Sequence, residues 1–198
     1  DAYIYSELQI SDSDTTVVKS MLSEINELIV VGNFDEAKSK NDSVEALSRR
    51  LDFSYGLAYA ELNRAEILLT QKQIDSAFVE ISKVIERYPK SRLRFKFYNI
   101  QAAAYNYKGQ SGLAIEAYKK GLEFVELLPE DNRARSIAAI YVNMASAYHK
   151  LGDKSNTLKN YLEGLEFAES TKDSSFLTIT LNNLGDSYNS YSEYERAE

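Results

Sequence analysis

A chain that repeats itself at a fixed period has few folds open to it, because each unit buries its apolar face only against the next. Here the period is near 40 residues. The segment Leu181-Asn182-Asn183-Leu184-Gly185-Asp186-Ser187-Tyr188, followed after a short polar stretch by Tyr194 and Ala197, has counterparts upstream. Tyr141, Met144, Ala145, Tyr148, Gly152, Thr157 and Tyr161 occupy the same relative places, and Tyr98, Ala102, Tyr105, Gly109, Ala114 and Tyr118 repeat them. Two weaker copies come first: Met21, Ile25, Leu28, Gly32 and Ala37, then Ala65, Leu68 and Ala77 ending with Pro89. The small residue in the second half of each unit, Ala37, Ala77, Ala114, Thr157 and Ala197, steps by 40, 37, 43 and 40 residues.

Two prolines and eight glycines among 198 residues leave room for long helices joined by short turns. Ala65, Ala102, Ala145 and Gly185 are small enough for one helix backbone to approach another, and Ala77, Ala114 and Ala197 answer from the partner helix. Tyr105, Tyr148 and Tyr188 follow those sites by three residues on the same face, with Tyr118 and Tyr161 opposite. Gly32, Gly109 and Gly152 stand where the first helix of a pair must stop. Asn33 with Glu36 reads as a variant capping box, and Asp14 as the N-cap of the first helix after a polar stop over Ser11 to Thr15. The segments 129–132 and 170–174 read as loops, and Ala2 to Ile10 is open between a strand and the remnant of a helix.

The pattern resembles the tetratricopeptide repeat over residues 18–198, after a lead-in segment at 1–17. The resemblance implies an all-α fold, a right-handed α-solenoid of tandem helix-turn-helix repeats near 18–57, 58–94, 95–137 and 138–177, with an incomplete fifth at 178–198. The steps exceed the family's usual length, which longer helices or longer loops between repeats would absorb. Glu61 stands where a bulky residue is usual and Asn41 replaces the second-helix aromatic, so the first two copies are expected to pack less well. Ala197 would barely begin a second helix, so the native protein is expected to continue past Glu198 or to self-associate through the exposed last repeat.

Charge and composition narrow the function classes. Thirty acidic against 23 basic residues give a net charge of −7, which disfavours nucleic acid, and the cluster Lys90, Arg92, Arg94 and Lys96 is too short to reverse that. No apolar run is long enough for a membrane span. Cysteine is absent, and His149 is the lone imidazole, which argues against transition-metal sites. Gly109-Gln110-Ser111-Gly112-Leu113 misses the nucleophile-elbow pattern at Leu113 and lies in a turn between helices. Asp12-Ser13-Asp14 lacks the glycine of a calcium loop, and Asn41-Asp42-Ser43 spells a glycosylation sequon inside a predicted helix. The expectation is a non-catalytic protein without cofactor or metal.

In the family arrangement the first helices line a concave groove that holds a peptide or partner protein. That surface here counts through Leu62, Asn63, Glu66 and Leu69, then Asn99, Ala103, Asn106 and Tyr107. It continues through Val142, Asn143, Ser146, His149 and Lys150, then Asn182, Asn183, Asp186, Asn189 and Ser190. Asn63, Asn143 and Asn183 recur at one repeat place, similar to an asparagine ladder that pairs with a peptide main chain; the same amides could instead bridge helices. A cationic carboxylate clamp is not matched, since only Lys19 and Asn26 come near its pattern. Asp14-Thr15-Thr16, the irregular period and Leu181-Asn182-Asn183-Leu184-Gly185 resemble repeat regions of bacterial sensor kinases and LuxR-type regulators. That implies an extracytoplasmic sensor region; the alternative is a stand-alone cytoplasmic adaptor or peptide receptor.

Overall fold

The computed structural model of the chain describes residues 12–128, 130–171 and 174–197, with side chains for 15–128, 133–171 and 177–191. The reading of Ala2 to Ile10 lies outside the described residues. The described residues form α1 (Asp12–Val30), α2 (Phe34–Arg50), α3 (Ser54–Thr70), α4 (Ile74–Arg87), α5 (Arg94–Tyr107), α6 (Ser111–Leu122), α7 (Glu130–Lys150), α8 (Lys154–Ser170) and α9 (Ser174–Ala197), joined by short turns, with a 3-10 turn at Val125–Leu127. Successive helices pack as hairpins, α1 with α2, α3 with α4, α5 with α6 and α7 with α8, and α9 packs on α8. This is an α-solenoid of helix-turn-helix repeats, in two compact units, Asp1–Ser91 and Arg92–Glu198.

One turn, repeated, makes the hairpins. In each, the backbone N–H of the third residue past the helix bonds back five residues: Asn33 to Leu28, Gln73 to Leu68, Gln110 to Tyr105 and Asp153 to Tyr148, at 2.9 to 3.1 Å. This closure needs one left-handed residue, and Gly32, Gly109 and Gly152 supply it at φ between 73° and 78°. Lys72 stands at the same place in the second pair with φ 63°, strained for a residue with a β-carbon. Asp52, at φ 50°, makes the same closure between α2 and α3, where Phe53 N–H bonds to the Ser48 carbonyl at 2.8 Å.

The small residues that carried the repeat are where packing is tightest. Ala37, Ala77, Ala114 and Thr157 are fully buried, as are Ala65, Ala102 and Ala145. Tyr118, almost fully buried, packs in the second unit with Phe95, Ile115, Ile140, Met144 and Ala147. Val142, Ala145, Tyr161 and Leu184 form the next layer. Within unit 1 the core is aliphatic, led by Val18, Ile25, Val44, Ile67, Ile81 and Val84.

Several boundaries differ from expectation. Asp14 lies inside α1, which starts at Asp12, so it is not an N-cap. Asn33 is the N-cap of α2 but its side chain makes no cap; its Nδ2 donates to Glu36 Oε2 at 2.8 Å, an exposed pairing that takes the amide away from the backbone. The expected loops shrink because their polar residues start or finish helices: α7 opens at Glu130 with Asp131 and Asn132, favourable at a positive N-terminal dipole, and α8 runs to Ser170. For the same reason helix pairs begin before the first apolar residue of the pattern, α1 at 12, α3 at 54, α7 at 130 and α9 at 174. The 43-residue step is accounted for by the 3-10 turn and the 21-residue α7.

The last difference is at α9. It continues as one helix through Ala197 where a turn and a second helix were expected. Its turn place is Ser192, not glycine, so nothing there favours left-handed backbone. Glu193, Glu195, Arg196 and Ala197 are good helix formers.

Candidate functional site

The structure divides the first-helix residues into packed, bridging and accessible sets. In unit 1 the face is packed. Leu62 and Leu69 are buried, and Asn63 has no exposed surface at all. Asn63 Nδ2 donates to Asn41 Oδ1 at 2.9 Å, and Asn41 Nδ2 donates to the Ala60 carbonyl at 2.8 Å. Asn41 occupies the place of Tyr118 and Tyr161, so an amide pair across α2 and α3 takes over what an aromatic does in later repeats. This corrects the groove assignment of Asn63: its Nδ2 is used in bridging helices. Asn26 Nδ2 reaches the Tyr59 hydroxyl at 3.3 Å, linking α1 to α3 in the same manner.

Glu61, on the same helix, is nearly buried and receives Arg87 Nη1 at 2.5 Å and the Tyr88 hydroxyl at 3.0 Å. Burial first, and then this bond to a carboxylate, push the Tyr88 phenol above its ordinary range, so it stays a donor. The pair has an exact register in unit 2. Tyr98 stacks on Phe124 with centroids 5.7 Å apart, and Tyr141 stacks on Phe167 at 6.0 Å. Glu61 and Arg87 therefore fill the place of an aromatic stack with an ion pair, and the expected loose packing at Glu61 is answered by charge.

In unit 2 the expected line separates by depth. Val142 is buried against Tyr161 in the layer between α7, α8 and α9, and Asn99 is partly buried with Oδ1 shielded and unbonded. Asn143 and Asn183 are partly buried, and Asn182, Asp186 and Asn189 are exposed. Ser146 is partly open between them on α7. Tyr107, 54% exposed, ends α5.

Two contacts join neighbouring first helices near the end of each. Lys150 Nζ donates to Asn106 Oδ1 at 3.0 Å and to the Asn106 carbonyl at 3.3 Å, connecting α7 to α5. His149 Nδ1 lies 3.1 Å from the Tyr191 hydroxyl of α9, with the rings edge-on at 5.3 Å. Tyr191 donates to Thr157 Oγ1 at 3.0 Å, and Thr157 donates to the Asp153 carbonyl at 2.7 Å. That carbonyl only accepts, so the order of donors is set and the proton between His149 and Tyr191 sits on Nδ1. Tyr191 was missed in the sequence because a turn was expected there; the absent glycine at position 192 was the available signal.

Chemically, this face offers amide, hydroxyl and ammonium donors beside the exposed ring of Tyr107. Ser111, from the glycine-flanked turn, is buried at the start of α6. Among the described residues no group of three His, Cys, Asp or Glu side chains could hold a metal ion, and no helix is long and apolar enough to cross a membrane.

Comparison with known proteins finds no matching family model and no matching curated protein. Among solved structures the chain is similar to BtubC (BKLC) from P. vanneervenii, with 16% sequence identity and a TM-score of 0.63 over 94% of this chain and 86% of that one. At that identity the likeness concerns the fold alone.

Proposed function

We propose that the chain is a non-catalytic tetratricopeptide-type interaction module that binds a peptide or an extended partner segment along the first-helix face of unit 2. The observation that supports this most is the convergence of Asn106 and Lys150 from neighbouring first helices, with Ser146 and exposed Tyr107 on the same helices. Asn106 keeps its amide N–H donors, Ser146 and the partly buried amides of Asn143 and Asn183 add donors and acceptors, and such groups pair with a main chain without reading its side chains. Each bond contributes about 0.5 to 1.5 kcal/mol net, so several support micromolar binding. The resemblance of Asp14-Thr15-Thr16 and Leu181–Gly185 to bacterial sensor regions supports a place in a larger signalling protein.

The test is selection from a displayed library of random peptides, followed by titration of the best binder. Ser146→Arg and Asn106→Ala with Asn143→Ala should weaken it at least about tenfold, a loss of roughly 1.4 kcal/mol. Lys119→Ala with Glu163→Ala, on the second helices, should not. A binder that responds only to the second-helix pair would overturn the assignment, as would a selection that enriches nothing.

A further inference from the structure

Charge in unit 2 is sorted by helix. The sequence has no Asp or Glu from Arg92 to Ile115, the stretch that holds α5 with Arg92, Arg94, Lys96 and Lys108. It has none from Asn132 to Gly152 either, where α7 carries Arg133, Arg135, His149 and Lys150. The carboxylates between Arg92 and Ser170 stand in the turns, in the first turn of α7 and on the second helices, as Glu116, Glu163 and Glu166 do. In a chain of net charge −7, the first helices α5 and α7 are therefore a positive strip against an acidic background. Unit 1 does not share it: α1 carries Glu24 and Glu27, and α3 carries Glu61 and Glu66.

The cations fall at two poles of the first-helix face. Lys96, Asn99, Ala103 and Asn106 follow one another at i, i+3, i+7 and i+10 on α5, which makes them one stripe of the helix. Arg94 is turned elsewhere, its guanidinium 4.1 Å from the centre of the Phe124 ring. At the other end Lys150 Nζ rests on Asn106 Oδ1 at 3.0 Å. Ten residues of helix separate Lys96 from Asn106, so the two ammonium poles are about 15 Å apart along α5. Between them the face is uncharged, with Asn99 and Ala103 from α5 and Asn143 and Ser146 from α7. Ala103 and Ser146 share one repeat place, and their small side chains leave room for a main chain to lie close. On α9 that place is the exposed Asp186, which confines the positive stretch to α5 and α7.

We propose that the segment bound on this face is an extended acidic one, with two carboxylates four residues apart, the first at Lys96 and the second at Lys150. The inference rests on the peptide-binding reading of the face and adds the charge and spacing of the ligand. An extended chain advances about 3.3 Å per residue, so the distance between the poles corresponds to four or five residues, and the alternation of side chains puts residues four apart on one side. In a helical ligand the same two residues would lie only about 6 Å apart and could not reach both poles. A nucleic-acid strand carries a charge about every 3.4 Å of rise, which would set phosphates over uncharged Asn99 and Ala103.

The test uses a displayed library of random peptides selected on the full chain, with the best binder then labelled and titrated by fluorescence anisotropy. Enrichment of peptides with two acidic residues four apart is expected. Binding should fall at least about tenfold with Lys96→Glu or Lys150→Glu, fall when either peptide acid becomes its amide, and weaken with added salt. A peptide with lysine in place of one acid should regain affinity for one of the reversed variants, which separates a charge contact from a loss of fold. Lys119→Glu, on α6, should change nothing. Binders that need Ser146 but carry no acidic pair, or that are indifferent to both lysine variants, overturn the charge assignment and leave the peptide-binding reading standing. A selection that enriches nothing overturns both. Tighter binding of a single-stranded oligothymidine, weakened by Lys96→Glu, would give the face to nucleic acid and likewise overturn the proposal.

Discussion

Replacing Glu61 by Tyr together with Arg87 by Phe should turn the ion pair of the second repeat into the stack of the third and fourth. The carboxylate of Glu61 is 6% exposed while the Arg87 side chain is 57% exposed, so the pair straddles the surface: one partner is desolvated and the other remains in water. Attraction at such a boundary is weakened by the solvent, and the burial of Glu61 opposes it. In the two aromatic versions the rings lie at 5.7 and 6.0 Å with planes within 14° of parallel, a geometry that contributes about 0.5 to 1.5 kcal/mol beyond the area it buries. Replacement of a buried ion pair by well-packed apolar groups ranges from neutral to a gain of about 1 to 4 kcal/mol. The expected net for the double variant is a gain of about 1 to 2 kcal/mol, which for a chain of this size raises Tm by roughly 2 to 4 °C per kcal/mol.

The single changes give the opposite sign. Arg87→Ala leaves the Glu61 carboxylate with only the Tyr88 hydroxyl, and a buried acceptor stripped of its partner costs about 1 to 3 kcal/mol. The four proteins form a double-mutant cycle, read by thermal and urea unfolding followed by circular dichroism. If the double variant unfolds below the wild type, the two places are not structurally equivalent and the repeat register across the two units is wrong.

Other consequences follow from the same register. Ala114→Leu should overpack the contact between α5 and α6 and cost roughly 1 to 3 kcal/mol, seen as a lower Tm; an unchanged melt would contradict the repeat phase. Lys72→Gly should relieve the left-handed strain at φ 63° and raise Tm, with a gain of up to about 1 kcal/mol after glycine's entropy cost, whereas Gly109→Ala should lower it. The hydrogen bond from Arg49, with Arg64 adding to it, holds the Glu45 carboxyl below its ordinary range against the effect of burial. A carboxyl with a depressed folded value contributes stability above its unfolded value and loses it as pH falls through the folded one, so Tm should drop below about pH 4.5, and Glu45→Gln should flatten that part of the profile.

The fold was legible because the residues that repeat are the ones that packing constrains most. A small residue between two helix backbones tolerates little change, and Ala37, Ala77, Ala114 and Thr157 kept both their spacing and their complete burial. The turns were legible where glycine marked them and not where Lys72 does the same work, because strain at one lysine leaves no trace in a pattern. Helix ends were read too late, since the pattern begins at the first buried residue while polar first turns such as Glu130-Asp131-Asn132 begin the helix. The candidate site was less legible. Periodicity places a residue on a face but does not say whether a neighbouring helix already engages its amide: Asn63 Nδ2 donates to Asn41, and Asn106 Oδ1 accepts from Lys150.

The substitutions at one repeat place explain why the array can vary without losing its architecture. Tyr98 with Phe124, Tyr141 with Phe167 and Glu61 with Arg87 all close the same edge between a first and a second helix, by dispersion in two cases and by charge in the third. Asn41 with Asn63 similarly replaces an aromatic by an amide pair, in which Asn63 Nδ2 donates to Asn41 while Asn63 Oδ1 is buried without a partner. What the variation preserves is contact between the two helices at that place, whether by rings, by charge or by amides. Leu181, at the Tyr98 place in α9, is 47% exposed among the described residues.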